Sequence, residues 1–295
     1  GMMLALWPVA WLAPTSSWAG LSSLLGRIHL RLIGAKGGGL DAKLLAGMGT
    51  TPRELELGFR RHNYLELLEI LREHAPWKWH PKIAVAGTEH IEHALAAGRG
   101  VVLWYCPFTH ADVVFKKGMY QAGYRVNHLS ALTHGFSDTR FGVAVLNPIK
   151  TSVERRYLKE RCVMHPGRVG ETIRALLDRL RNKELVSVTA LQSGRRIGVR
   201  PLFGGSLHLA KGAPNFALST GAALLPIFVV PTDDGYEVRI EPPLTAHSDD
   251  IERAEEECIT AYLPLLERYV SRYPWLWRGW LGQRSYWAPG HEGEV

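Results

Sequence analysis

The chain has 295 residues, of which 46% are hydrophobic and 21% are charged. This is the composition of an ordinary globular protein, so disorder along the whole chain is excluded, and the length suffices to bury a core without disulfides. Lysine and arginine number 35 against 28 acidic residues, a net charge of +7, which favours phosphate groups, acidic carrier proteins, anionic lipid or nucleic acid as partners without choosing among them.

The N-terminal segment predicts association with a membrane. No residue from Met2 to Gly26 is charged, and its three tryptophans suit a lipid–water interface. Pro8 and Pro14 interrupt the segment, and it is too weakly apolar for a spanning helix. A signal peptide begins with basic residues, and this segment has none before its apolar part. We expect it to lie on a bilayer or to anchor into one; an ordinary buried helix is the alternative.

Short apolar runs alternate with helical patterns from residue 83 onward. Strands are predicted at 83–86, 100–106, 125–130, near 162, at 185–190, 223–230 and 236–240. Helices are predicted at 21–33, 51–74, 89–97, 109–122, up to 158, and at 169–181, 211–220 and 251–273. The alternation implies an α/β fold with a mostly parallel central sheet flanked by helices. We divide the chain into a helical N-terminal extension over 1–80 and an α/β domain over 81–295, which form one structural unit.

Cofactor motifs are missing from the sequence. The three cysteines are widely spaced and form no disulfide framework or metal pattern, which favours a reducing compartment. The histidines lack metal-ligand spacing, and no glycine-rich phosphate loop follows a predicted strand. We therefore expect no bound metal and no nucleotide cofactor.

The turn after the strand at 100–106 carries Thr109, His110 and Asp112. Ligands of open α/β sheets bind at the carboxyl ends of strands, where His110 can act as a general base and helix amides can stabilise an oxyanion. Asp112 either orients His110 or closes a capping box with Thr109, and His110 itself has a purely structural alternative. Two rival pairs are His134 with Asp138, four residues apart, and Cys106 with His110.

Basic residues gather in the middle of the chain and predict an anion site, with a solvated surface as the alternative. The first group comprises Arg155, Arg156, Lys159, Arg161 and Arg168. The second comprises Arg195, Arg196 and Arg200, after which Lys211 opens a helix. The predicted substrate-binding residues are Thr109, Arg161, Arg195, Arg196, Arg200 and Lys211.

Aromatic residues cluster again near the C-terminus, where Tyr273-Pro274-Trp275-Leu276-Trp277-Arg278-Gly279-Trp280 mixes rings with a cation. This mixture suits a membrane interface, a lipid-lined groove or packing against the preceding helix. It also suits stacking on single-stranded nucleic acid, but no nucleic-acid motif accompanies it, so we expect no nucleic-acid partner.

Four blocks, in order, resemble the lysophospholipid acyltransferase superfamily, and within it the bacterial late acyltransferases of lipid A biosynthesis. They are the strand and turn at 101–110, the segment Val199-Arg200-Pro201-Leu202-Phe203-Gly204-Gly205, the helix and strand that begin at Lys211-Gly212, and the ending Tyr273-Pro274-Trp275-Leu276-Trp277-Arg278. The resemblance covers roughly residues 18–287.

The resemblance implies transfer of an acyl group from a carrier-protein or coenzyme A thioester to a hydroxyl of a lipid or glycolipid. It implies His110 as the base, with an acid five residues later. Phe115 stands at that position and Leu191 at a second acidic position, so Asp112 is the expected substitute. We expect a membrane-associated enzyme at the cytoplasmic face of the inner membrane. The alternatives are a catalytically degenerate lipid- or carrier-binding protein and a transferase of another carrier-bound group.

Overall fold

The computed structural model describes residues 2–34, 40–190, 196–281 and 287–289. The helices are α1 Met2–Leu12, α2 Trp18–Ile33, α3 Ala42–Gly47, α4 Pro52–Arg72, α5 Thr88–Ala96, α6 Ala111–Gln121, α7 Asn147–Arg155, α8 Val169–Arg181, α9 Gly212–Thr220, α10 Ile251–Arg272 and α11 Arg278–Leu281. The strands are β1 Lys82–Ala86, β2 Val101–Tyr105, β3 Val126–Ala131, β4 Glu160–Met164, β5 Leu185–Thr189, β6 Ile197–Leu202, β7 Gly205–Ala210, β8 Ala223–Pro231, β9 Gly235–Ile240 and β10 Trp287–Pro289.

A seven-stranded sheet in the order β1-β9-β8-β2-β5-β3-β4 forms the centre of the fold. Strands β8, β2, β5, β3 and β4 are parallel, whereas β9 is antiparallel to β8 and parallel to β1. Strand β2 is buried along its whole length at the middle of the sheet, as its continuous apolar run requires. The predicted α/β fold with a mostly parallel sheet and N-terminal helices is confirmed.

A second, antiparallel sheet in the order β10-β7-β6 was not predicted. Strands β6 and β7 are joined by Phe203 and Gly204, both with positive φ, between the paired residues Leu202 and Gly205. Two consecutive positive φ angles are typical of the tight turns that match the twist of a hairpin. The resemblance implied the first strand and the turn. The returning strand, in which Leu207 and Leu209 alternate with Ser206 and His208, was not predicted.

Two predicted helices differ from the structure. The helix expected from residue 109 begins at Ala111. The helical stretch expected up to residue 158 contains a non-helical segment over 132–139, then a π-helical turn at Gly142–Leu146 before α7. A single-turn π-helix often marks a functional region, and no sequence pattern used above distinguishes it from an α-helix.

Helix α4 connects the N-terminal helices to the α/β domain. Its predicted start is confirmed, because Thr51 and Glu54 form a capping box around Pro52. On one side it packs against α1 and α2, and on the other against the turn at 274–276. Gly58 permits this close approach, since a Cβ there would lie 2.8 Å from the Cβ of Trp275.

Most of the tryptophans at the two chain ends pack inside the protein rather than face outward. Trp18 is buried, and the Trp11 indole donates a 3.1 Å hydrogen bond to the carbonyl of Leu71. Trp277 and Trp280 are buried and pack edge to face. For the C-terminal run, the structure therefore favours packing over a membrane interface. Among the described residues, no helix has the length and hydrophobicity that a bilayer crossing requires.

Candidate active site

His110 lies in the turn between the central strand β2 and helix α6. It is the N-cap residue of α6 and has a φ of 75°, in the left-handed region. For a residue other than glycine this conformation costs about 1–2 kcal/mol, and such strain concentrates at functional sites. The side chain is only 1% exposed, so the protein itself determines every contact that His110 makes.

The carboxylate partner of His110 is Glu69, on α4. Glu69 Oε2 lies 2.7 Å from His110 Nδ1, and both side chains are buried. The hydroxyl of Tyr236 donates to the other oxygen of Glu69 and lies 3.3 Å from His110 Nδ1. Because a carboxylate only accepts hydrogen bonds, Nδ1 of His110 carries the donated proton and Nε2 is left as the basic nitrogen.

Glu66, one turn earlier on α4, supports the same turn. Its Oε1 accepts from the backbone N–H of His110 at 3.3 Å, and its Oε2 accepts from Arg278. Burial by itself would raise the pKa of Glu66, but Arg278 and Lys150 hold it below its ordinary value. Arg278 belongs to the C-terminal block of the resemblance. Its side chain is 26% exposed, so this cation contacts both solvent and the buried Glu66.

The contribution of α4 to the site was not predicted from the sequence. His62, Glu66 and Glu69 recur at spacings of four and three, which places them on one face of a helix. Glu66 and Glu69 are buried, although charged residues rarely are. These three residues were the sequence signal that could have indicated the contribution of α4. Titratable residues on one face of a helix usually face solvent, however, so the pattern does not by itself indicate a site.

His62 occupies the remaining ring nitrogen of His110. Its Nδ1 lies 2.9 Å from His110 Nε2, and the two rings are edge to face with centroids 5.2 Å apart. Burial lowers the pKa of His62 well below its ordinary value, and His110 and Arg61 lower it further. The neutral imidazole is therefore the stable form of His62 at neutral pH.

Asp112 does not orient His110 in the structure. One of its oxygens accepts from the Tyr105 hydroxyl at 3.0 Å and the other from Lys150 Nζ at 2.5 Å. Burial by itself would raise the pKa of Asp112, but Lys150 and Lys116 hold it well below its ordinary value. The expected substitution of Asp112 for the missing acid is thus wrong in geometry, because this carboxylate is committed to a buried lysine.

The expected capping box between Thr109 and Asp112 is also wrong. Residue 110, not 109, is the N-cap of α6, and no side chain caps the helix. The hydroxyl of buried Thr109 instead donates to the carbonyl of Leu276 at 3.2 Å, which attaches the turn to the C-terminal segment. The predicted role of Thr109 in binding substrate stays a prediction.

The expected oxyanion donors are already engaged. The backbone N–H of Thr109 donates to Leu276, that of His110 to Glu66, and that of Ala111 to Phe108. An oxyanion next to His110 therefore has to be stabilised by other donors in this conformation, and Arg278 is the partly exposed cation bonded to Glu66 beside it.

Asp112, His134 and Glu154 lie as close together as the ligands of a metal site, with both carboxylates buried and His134 half-buried. Its donors are occupied, however, because Lys150 pairs with Asp112 and Lys116 pairs with Glu154 at 2.7 Å. The two buried ammonium groups supply the positive charge that a divalent ion would bring, so these residues do not fit a metal centre.

The rival pair of His134 and Asp138 does not lie on a helix as expected. His134 lies outside any helix and contacts Glu154 at 2.8 Å, whereas Asp138 is exposed in the same non-helical segment. Cys106 is a buried residue that follows β2.

The described cations of the predicted anion site are spread over several places. In the first group, Arg156 pairs with Glu73, Lys159 with Glu184 and Arg168 with Glu171. Arg196 pairs with Glu255, and Arg200 and Lys211 pair with Glu256, all against α10. Among the described predicted cations, Arg161 alone donates only to neutral oxygens, namely Ser130 Oγ at 3.0 Å and the carbonyl of Ala131 at 3.1 Å. Arg195 and Leu191 lie outside the described residues.

Phe115 is at the position where the resemblance implies an acid, and it is a core residue. It is fully buried and stacks on Tyr105, with centroids 5.1 Å apart. We expect Phe115→Asp to lower the free energy of unfolding by about 3 kcal/mol or more, because it removes a packed ring and buries a charge. Phe115→Leu is the matched control and should cost only about 1 kcal/mol. Chemical denaturation measures both; an aspartate variant as stable as wild type would contradict the prediction.

The fold and the site together define a class: α/β proteins with a buried carboxylate–histidine pair at the carboxyl ends of a mostly parallel sheet. The chain belongs to the bacterial lipid A biosynthesis acyltransferase family, whose model matches residues 67–284. The match confirms the resemblance; it includes Glu69 and His110 and begins after His62. No curated protein is similar enough to this chain to count as a match.

Proposed function

We propose that the protein transfers an acyl group from a carrier-protein or coenzyme A thioester to a hydroxyl of a lipid or glycolipid, with the Glu69–His110 pair as proton acceptor. One observation carries the proposal. Glu69 provides the carboxylate that Phe115 cannot provide, at 2.7 Å from the histidine and on the nitrogen that leaves Nε2 basic.

The chemistry needs no covalent intermediate on the protein. The pair takes the proton of the acceptor hydroxyl, and the oxygen attacks the thioester carbonyl as it becomes nucleophilic. The tetrahedral intermediate then collapses, the C–S bond breaks, and the proton is returned to the leaving sulfur. Glu69 holds the imidazole in the required tautomer throughout, as the buried aspartate of a serine-protease triad does.

Two cations support the charges of this reaction. Arg278 is partly exposed and reaches Glu66, which accepts from the His110 backbone, so it can stabilise the oxyanion. Arg161 leaves its positive charge unmatched by any described carboxylate within hydrogen-bond distance, which suits a phosphate on the donor or the acceptor.

The direct test is acyl transfer by the purified protein. Dodecanoyl–acyl-carrier protein and dodecanoyl coenzyme A are offered separately with an underacylated lipid A disaccharide, and the product is identified by mass spectrometry. We expect one added dodecanoyl ester and one free thiol per turnover. Thiol release without an ester on the lipid would contradict the proposed acceptor class.

A second candidate function rests on the burial of His110. The ring is covered and Nε2 is occupied by His62, which is compatible with a lipid- or carrier-binding protein that has lost turnover. Binding of the acyl-carrier protein without release of thiol would favour this alternative. A transferase of another carrier-bound group would release thiol only with that group on the carrier.

We propose further that the protein acts at the cytoplasmic face of the inner membrane, bound peripherally through α2. Leu24, Ile28 and Leu32 form an exposed stripe with 52%, 43% and 79% of their surfaces accessible. Arg27 and Arg31 lie exposed beside them. An apolar stripe flanked by arginines is typical of helices that lie in the surface of anionic bilayers.

Removing the stripe should weaken membrane binding. We expect the triple variant Leu24→Ser, Ile28→Ser, Leu32→Ser to bind vesicles containing phosphatidylglycerol roughly 10-fold or more weakly, because each apolar side chain contributes about 1 kcal/mol or more when it enters the lipid. Sedimentation with vesicles measures the effect. The exposed Leu132 provides the control, as Leu132→Ser. Equal sedimentation of the triple variant and wild type would exclude α2 as the membrane contact.

A further inference from the structure

We propose that His62 carries the proton between the acceptor hydroxyl and His110, so that the protein works with a Glu69–His110–His62 chain whose outer nitrogen faces the substrate. The inference rests on the proposed function and adds a catalytic residue from α4 to it.

His110 is inaccessible to a substrate. Its ring is 1% exposed, Nδ1 is bonded to Glu69, and Nε2 lies 2.9 Å from His62 Nδ1. An acceptor hydroxyl therefore has no place to bind at either nitrogen of His110. The position where it would have to sit is filled by another imidazole.

Glu69 fixes the position of each proton along the chain of the two imidazoles. Glu69 accepts, so His110 Nδ1 donates, and Nε2 of the neutral ring is an acceptor. The bond to Nε2 therefore requires a proton on Nδ1 of His62. The neutral His62 then has its lone pair on Nε2, which no described residue hydrogen-bonds. Its side chain is partly exposed, unlike that of His110.

Electrostatics agree with this assignment. Burial, together with His110 and Arg61, lowers the pKa of His62, so the ring is neutral at neutral pH and Nε2 carries a lone pair rather than a second proton. Burial and Glu69 raise the pKa of Tyr236 well above its ordinary value, so its hydroxyl remains a donor to Glu69 and holds that carboxylate in place.

The step balances without any further reactant. The acceptor O–H bond breaks as its proton binds His62 Nε2, and the proton on His62 Nδ1 moves to His110 Nε2. The acceptor oxygen forms the new C–O bond to the thioester carbon. When the C–S bond breaks, the same chain returns one proton to the sulfur. The products are an ester and a thiol, and both histidines regain their starting states.

A covering role for His62 makes the opposite prediction. If His62 only blocked His110 and had to swing away, its removal would open Nε2 to the substrate. His62→Ala would then transfer acyl groups as fast as wild type or faster. The two roles therefore differ in the sign of the effect on rate.

The experiment measures transfer from dodecanoyl–acyl-carrier protein to an underacylated lipid A disaccharide by wild type and His62→Ala, with and without added imidazole. We expect kcat to fall roughly 10²-fold or more, little change in KM, and partial recovery with imidazole, which can fill the space of the lost ring. His93→Ala, at an exposed histidine of α5, is the matched control. An unchanged or higher rate, or a loss that imidazole does not restore, would overturn the proposal.

A substrate-free measurement separates this inference from the proposed function. Nitrogen NMR of wild type labelled at histidine should show scalar coupling between His62 Nδ1 and His110 Nε2 across the hydrogen bond, and His62→Ala should lack it. Absence of this coupling in wild type would overturn the chain. Coupling in a wild type that transfers no acyl group would instead reject the proposed function.

Discussion

Replacing His110 by asparagine is expected to lower the rate of acyl transfer roughly 10²- to 10⁴-fold, the contribution usual for a positioned general base. Asparagine is the sharper choice than alanine for two reasons. It tolerates the left-handed backbone conformation of this residue, with its φ of 75°. Its amide can also donate to Glu69, which would otherwise lose its histidine partner inside the protein.

The measurement is the initial rate of ester formation on the lipid, with thermal unfolding as a check on the fold. The matched control is His93→Asn, on the exposed surface of α5, which should behave as wild type. A folded His110→Asn protein with the full rate would remove His110 from the mechanism. A protein that fails to fold would be replaced by His110→Gln, which keeps more of the volume of the ring.

Glu69→Gln should lower kcat by roughly 10²- to 10⁴-fold with little change in KM, by analogy with loss of the carboxylate in a serine-protease triad. The side chains have nearly the same shape, and glutamine keeps one oxygen to accept from Tyr236. When the glutamine oxygen faces Tyr236, its NH₂ group faces His110 Nδ1. Two donors cannot bond, so the histidine takes the other tautomer, with its proton on Nε2 and no free base there.

Asp112→Asn is the comparison that separates the two carboxylates. It removes the partner of buried Lys150, so we expect it to reduce the free energy of unfolding by about 3–5 kcal/mol. The folded fraction of Asp112→Asn should transfer acyl groups faster than Glu69→Gln does. If instead Asp112→Asn loses the rate and Glu69→Gln keeps it, the assignment of the orienting acid to Glu69 is wrong. The double variant His110→Asn, Glu69→Gln should be no slower than His110→Asn alone, because the two residues act as a unit.

The local parts of the fold were predictable from short stretches of chain. Thr51, Pro52 and Glu54 predicted the start of α4, since the three residues that cap it are neighbours in sequence. The buried runs at β2 and β5 predicted central strands. Strand β7 was not predicted, although Leu207 and Leu209 alternate with polar residues, because its place in a second sheet between β6 and β10 is a tertiary contact.

The same distinction applies to the site. His110 was predictable because it follows a buried strand directly, at the edge where α/β sheets bind ligands. Asp112 was the wrong acid because nearness in sequence was the only available measure. Its partners Lys150 and Tyr105 are a helix and a strand residue that no spacing rule connects to it.

The α/β class, His110 as the candidate base and the acyltransferase resemblance could all be read from the amino-acid sequence. These depend on periodicity and on short motifs, which local residues specify completely. The carboxylate next to His110 Nδ1 and the imidazole next to its Nε2 are known only from the folded chain. Glu69 is 41 residues and His62 is 48 residues from His110 along the chain. These contacts exist because α4 packs across the carboxyl ends of the strands. The periodicity of a helix predicts which of its faces is buried, but it does not predict which other element packs against that face.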